Sequence, residues 1–188
     1  LRRTKKEVAR ELPLVYEQVR YCNMSEDQRR LYEEEKSAAR NSILENLEEM
    51  GLEKSSFLVL QALTKLRQIA NHPDMVEEFN GVESGKFTEV YRDIENVISE
   101  GHKALIFSPF VKHLNLFRER LDADRHEYSY LTGSVGQKER EKAVNLFQRN
   151  EACRLFLISL KAGGVGLNLT SADYVFILDP WWNPAVEM

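Results

Sequence analysis

The residues best placed to do chemistry lie near the end of the chain. Ser159 closes the apolar run Arg154–Ser159, and Lys161 and the glycines 163, 164 and 166 follow directly on it. Glycines leave backbone N–H groups open to close approach, so such a loop after a buried strand is one way to meet a phosphate. Lys161 adds charge, and Ser108, Thr132, Ser134 and Ser159 offer hydroxyls of the kind that position a nucleic-acid backbone without reading bases. A second apolar run, Tyr174–Asp179, ends in Asp179-Pro180-Trp181-Trp182-Asn183-Pro184. Trp182 in that rigid loop fits either a stacking contact or a packed lid, and Asp179 fits a loop N–H or a ligand hydroxyl.

Other chemistries find little support. No G-x-x-x-x-G-K-[ST] run occurs, and Ser84-Gly85-Lys86-Phe87 lacks its glycine spacing. That tetrad reads instead as a helix N-cap. No nucleophile elbow, acidic pair of the DExH type or His-base pair is present. Cys22 and Cys153 give no disulfide framework, and His72, His102, His113 and His126 have no metal spacing. Cysteine usage suits a reducing compartment. The net charge of −4 is unevenly spread: residues 25–56 hold nine acids against five bases, whereas residues 102–149 hold nine bases against six acids. A modest basic face is compatible with the acidic total.

The positioning elements follow from periodicity and caps. An extended or strand-like segment is expected over Leu12–Tyr21, then a long acidic helix from the capping box Ser25…Gln28 to about Met50, stopped by Gly51. A second helix starting at Ser55 or Ser56 carries Leu58, Ala62, Leu66 and Ile69 on one face and ends at Asn71-His72-Pro73. The two form an antiparallel pair. Phe87, Val90, Tyr91, Ile94, Val97 and Ile98 mark a third helix, closed by Gly101. Strands follow at 103–108, 127–131, 154–159 and 174–178. Between them lie a helix on Val111, Leu114, Phe117 and Leu121, and one from a second capping box, Ser134…Gln137, to Arg149. From residue 86 onward this α–β alternation predicts a parallel sheet covered by helices on both faces, with ligands beyond its C-terminal strand ends. All the candidate loop residues fall on that one edge.

At this point the residues resemble a known family. LKAGGVGLNLTSADYVFILDPWWNPAVE is similar to motifs V and Va of the Swi/Snf-type ATPases of helicase superfamily two. LRRTKKEVARELP (1–13) resembles the segment linking the two motor lobes, and LRQIANHP (66–73) the signature of the helical insertion. SGK (84–86) with GHKALIFSPF (101–110) resembles the approach to motif IV. YLTGSVGQKEREKAVNLFQ (130–148) is similar to motif IVa and its helix. The resemblance covers nearly the whole chain in order. Leu160 departs from it where a threonine is common, and offers no hydroxyl for a phosphate contact. Ala70 stands in place of a frequent cysteine. Trp181 doubles the tryptophan, a form closer to bacterial members.

The resemblance implies a RecA-like (P-loop NTPase-type) α/β lobe: a linker or brace over 1–24, a helical insertion over 25–80, and the C-terminal motor lobe over 81–188. It implies an ATP-driven translocase on double-stranded DNA. ATP and Mg²⁺ would be held mainly by an N-terminal RecA-like lobe, the lobe's natural partner. RNA polymerase or another DNA-bound protein is a further possible partner, and no membrane is involved. The setting would be the bacterial cytoplasm at the nucleoid, or the nucleus in a eukaryote. Ser108, Thr132, Gly133, Ser134, Arg140, Ser159 and Lys161 match the DNA track. Gly164, Gly166, Asn168, Trp182 and Asn183 match the elements coupling track to nucleotide cleft. The chain stops before the arginines of motif VI, so residues 1–188 alone are expected to hydrolyse no ATP, an arginine finger contributing about 10³–10⁵ in rate. The competing reading is a non-catalytic α/β module whose acidic helical pair recruits a protein.

Overall fold

The computed structural model describes residues 16–50, 52–163 and 166–180. The expected brace over 1–13, the stop at Gly51, and Gly164, Trp182 and Asn183 lie outside them. The described chain opens without regular secondary structure over 16–25, so the strand-like reading of Leu12–Tyr21 is corrected to irregular for the part observed.

Helices α1 (Glu26–Met50) and α2 (Leu52–Asn71) follow, α2 starting some residues before the expected Ser55. The capping box forms as read: the Gln28 amide N–H donates to Ser25 Oγ at 3.2 Å, and the Ser25 N–H donates to Gln28 Oε1 at 3.3 Å. Gln28 does more than cap. It is fully buried, and its side-chain amide donates to the Ile69 and Ala70 carbonyls while Oε1 also accepts from Gly85 N–H at 3.2 Å. All four of its hydrogen-bonding valences are used, as burial of a primary amide demands. Together with the Lys65–Glu35 ion pair at 2.9 Å, these contacts bring low numbers of α1 against high numbers of α2, the antiparallel pair expected.

Helix α3 (Gly85–Ser99) begins at Ser84, whose Oγ accepts from Phe87 N–H at 3.1 Å and donates to the Asn71 carbonyl at 2.7 Å. Gly101, at φ +85°, ends it. Then come β1 (Ala104–Ser108), α4 (Val111–Ala123), β2 (Tyr128–Leu131), α5 (Gln137–Arg149), β3 (Leu155–Ser159), the single turn α6 (Leu160–Gly163) and β4 (Tyr174–Ile177). The four strands are all parallel, in the order β2-β3-β1-β4. Strand alternation divides the core. Ala104, Ile106, Leu155 and Leu157 face α3 and α4 through Ile94, Leu114, Phe117 and Leu121. Leu105, Phe156 and Ile158 face α5 through Phe147, with Ala162 packed beside them. Helices therefore cover both faces, as the alternation predicted. One helix-face residue departs from expectation: Val111 is 42% exposed.

His113 on α4 is fully buried with neither ring nitrogen hydrogen-bonded. Burial, with the Lys86 and His72 charges facing it, pushes its pKa down to about 3. The unfolded chain takes up this proton near 6.5, whereas the folded chain refuses it until about 3. The contribution is thus complete above 6.5 and falls as pH drops from 6.5 toward 3, by about 1.4 kcal/mol per pH unit. His113→Leu removes no hydrogen bond. Urea unfolding of this variant at pH 7, 5.5 and 4.5 should show a stability profile flatter by that slope. An unchanged slope would mean that His113 is not the titrating group.

Candidate nucleic-acid interface and its bracing

The C-terminal strand edge gathers the candidate residues. Ser108 and Ser159 are paired neighbours at the ends of β1 and β3, and Thr132 follows Leu131, which pairs with Ile158. Their exposures differ sharply. Ser108 is fully buried, and its Oγ accepts from the Phe110 N–H at 3.1 Å. Ser159 is also buried, its Oγ without a partner. Thr132 is buried and shares a 3.0 Å hydrogen bond with Ser134 Oγ. Gly133, Ser134, Lys161, Gly166 and Asn168 are exposed. The edge thus presents an outer set, Gly133, Ser134 and Lys161, above an inner set of buried hydroxyls, of which Ser108 and Thr132 are hydrogen-bonded and Ser159 is not.

Local chemistry explains the placement. The Val135 N–H donates to the Thr132 carbonyl at 3.2 Å, closing a turn that occupies Ser134. Helix α5 consequently starts two residues later than expected, with Gly136 as its N-cap and no side-chain cap bond. The second capping box, Ser134…Gln137, is therefore not formed. Arg140, half-buried on α5, donates to the Ala162 carbonyl at 3.1 Å and fixes α6 beside α5. Arg140 is thereby engaged within the protein.

The glycine stretch also differs from an open anion-binding loop. Residues 160–163 close a helical turn. At Gly163 an added Cβ would meet Phe107 Cε1 at 2.9 Å, so a larger residue there would have to displace the ring. Gly166, at φ +51°, has open space around it and supplies the left-handed conformation. Asn168 joins the edge through its backbone, its carbonyl accepting from Gln148 Nε2 at 2.7 Å.

Sequence reading missed a second cluster, behind β4. Lys86, in the segment read as a helix cap and as the approach to motif IV, donates to Asn71 Oδ1 at 2.6 Å and to the Leu178 carbonyl. Burial pushes its pKa down, opposed by the nearby Asp179 carboxylate. Arg67 donates to Asp179 Oδ2 at 2.8 Å and to the Pro180 carbonyl at 3.0 Å, with its guanidinium 5.6 Å from the Phe110 ring centre. The signal available was the pair of short runs LRQIANHP and SGK, whose side chains here meet the strand leading into DPWWNP.

Residues 86–188 match the family model of the helicase conserved C-terminal domain, and residues 1–75 match that of the SNF2-related domain. A putative ATP-dependent helicase/translocase, YwqA, of Bacillus subtilis is 35% identical over 195 residues, covering all of this chain and 21% of that protein. The SWI2/SNF2 ATPase core domain of Sulfolobus solfataricus superposes with a TM-score of 0.79 at 33% identity, over 100% of this chain and 39% of that one. The same archaeal core in complex with double-stranded DNA superposes with a TM-score of 0.74 at 31% identity, over 87% of this chain and 35% of that one. The sheet and its flanking helices thus match the RecA-like lobe of these ATPases.

Proposed function

We propose that this chain, which belongs to the Swi/Snf (SNF2) family of helicase superfamily two and carries its helicase C-terminal domain, is the second motor lobe of an ATP-driven translocase on double-stranded DNA. The observation that carries the reading is the exposed row Gly133, Ser134 and Lys161 on the C-terminal edge of a parallel sheet. A lysine, a hydroxyl and a glycine backbone are groups suited to phosphate oxygens, which fix register on a duplex without selecting sequence. Support comes from the archaeal relative captured with double-stranded DNA. Gly164, Gly166, Asn168, Trp182 and Asn183 are proposed to transmit changes at the nucleotide cleft to that row. Ser108 and Thr132 serve the track from beneath, by holding the strand ends that carry it, and Ser159 lies buried beside them. Arg140 does so by holding α6. We also propose the division into a brace (1–24), a helical insertion (25–80) and a motor lobe (81–188).

ATP and Mg²⁺ are assigned chiefly to a partner lobe of the same protein. Among the described residues no three His, Cys, Asp or Glu side chains lie together, and Asp179 is already paired with Arg67. ATP supplies the driving reaction. What these residues contribute is the DNA-facing surface and a rigid connection to it. Residues 1–188, with no phosphate-binding P-loop of their own, turn over no ATP unaided.

Duplex binding by the full-length protein tests the surface. Affinity should be alike for unrelated sequences and fall steeply with salt, and Lys161→Ala should reduce the slope of log affinity against log salt by about 1. A slope unchanged by Lys161→Ala would remove that residue from the track.

A further inference from the structure

We infer that Arg67, Asn71 and Lys86 are positioning residues that clamp helix α2 and the start of α3 to the chain leaving β4. The clamp takes over where the sheet ends. Leu178 is the handover point: its N–H donates to the Phe107 carbonyl at 2.9 Å, a sheet bond, while its carbonyl accepts from Lys86. Beyond it, the Asp179 carboxylate and the Pro180 carbonyl are both held by Arg67. Lys86 is fixed in turn by Asn71 Oδ1, and the Asn71 side-chain amide donates to the Arg67 carbonyl at 2.8 Å. Asn71 and Lys86 are thus joined side chain to side chain, Asn71 is tied to Arg67 through the Arg67 main chain, and the Arg67 and Asp179 side chains are only 19% and 13% exposed.

The chemistry suits a rigid joint. Hydrogen bonds to charged groups are stronger than neutral ones, and Arg67 reaches both the Asp179 carboxylate and the Pro180 carbonyl through Nη2. An ion pair held in this partly dry setting is costly to break from one side, because the remaining charge loses its partner. The helical pair and the exit of β4 should consequently move together. On the function proposed above, that ties the insertion to the Asp179–Pro184 run.

Both tryptophans of the chain, Trp181 and Trp182, directly follow Pro180 and report on this exit without any added label. In the 188-residue chain, Arg67→Ala and Asp179→Asn should each shift the tryptophan emission maximum and raise acrylamide quenching, with far-UV circular dichroism unchanged. Arg67→Lys should recover part of the change, and Glu78→Ala, which breaks the separate Lys65–Glu78 pair, should leave emission at wild type. If Arg67→Ala fails to fold, the nearly isosteric Asp179→Asn decides. Wild-type emission and quenching in a folded Asp179→Asn variant would overturn the clamp. These readings do not depend on any activity, so they stand apart from the motor proposal. In the full-length protein, Arg67→Ala should retain DNA-stimulated ATP hydrolysis but move less DNA per ATP. A lower hydrolysis rate at an unchanged ratio would make Arg67 structural only.

Discussion

Gly85→Ala is expected to lower the melting temperature by roughly 6–12 °C, because among the described glycines its added methyl group would meet the closest obstacle. A Cβ on Gly85 would lie 2.0 Å from the backbone oxygen of Asn23 and 3.3 Å from the Ser25 nitrogen. The obstacle is main chain, so no rotamer change relieves it. Alanine is otherwise favoured inside a helix by up to about 1 kcal/mol, and Gly85 has no positive φ requiring glycine. The contact alone decides the sign. Relief requires residues 23–25 to move, which disturbs the Ser25 Oγ bond to the Glu83 carbonyl and the buried Gln28 amide shared by α1, α2 and Gly85. Overpacking of this kind costs about 1–3 kcal/mol, here at its upper end. For a domain of this size each kcal/mol corresponds to about 2–4 °C. A melting temperature equal to or above wild type would mean that the 23–25 segment does not pack on α3 as described.

Trp182→Ala should separate hydrolysis from movement. On the proposed function, Trp182 belongs to the coupling run after β4, whereas ATP is held chiefly by the other lobe. The full-length variant should keep ATP binding and DNA-stimulated hydrolysis within a few-fold of wild type while displacement of a bound roadblock from duplex DNA falls by about tenfold or more. The latter corresponds to about 1.4 kcal/mol in the coupled step. Unchanged displacement per ATP would reduce Trp182 to a packing residue.

Much of this architecture was legible because local chemistry and tertiary packing agree. The 3.6-residue spacing from Phe87 to Ile98 gives α3, and the apolar run after Lys103 gives a strand buried on both faces. Ser25…Gln28 and Ser84 were readable as caps because those residue types satisfy N–H groups within three residues of themselves. The clustering of Ser108, Thr132 and Ser159 on one edge followed from strand polarity alone.

What escaped the sequence depends on distant partners. Lys86 looks like a surface cation until the Leu178 carbonyl, far along the chain, comes to rest beside it. The strand order β2-β3-β1-β4 sets Ser108 against Ser159, a pairing that no periodicity contains. Residue type also misled at Ser134, whose hydroxyl, expected to cap α5, is bonded to Thr132 Oγ1 instead. At Gly163 the glycine answers to the Phe107 ring rather than to an anion.

The central claim, that this is one half of a DNA-driven motor, is tested most directly by ATP hydrolysis. The full-length protein and residues 1–188 should be compared with and without duplex DNA, at equal concentration and low salt. The account predicts hydrolysis by the full-length protein that rises on adding duplex, and none above background from residues 1–188 under either condition. Hydrolysis by residues 1–188 alone, or a full-length rate indifferent to duplex DNA, would contradict it.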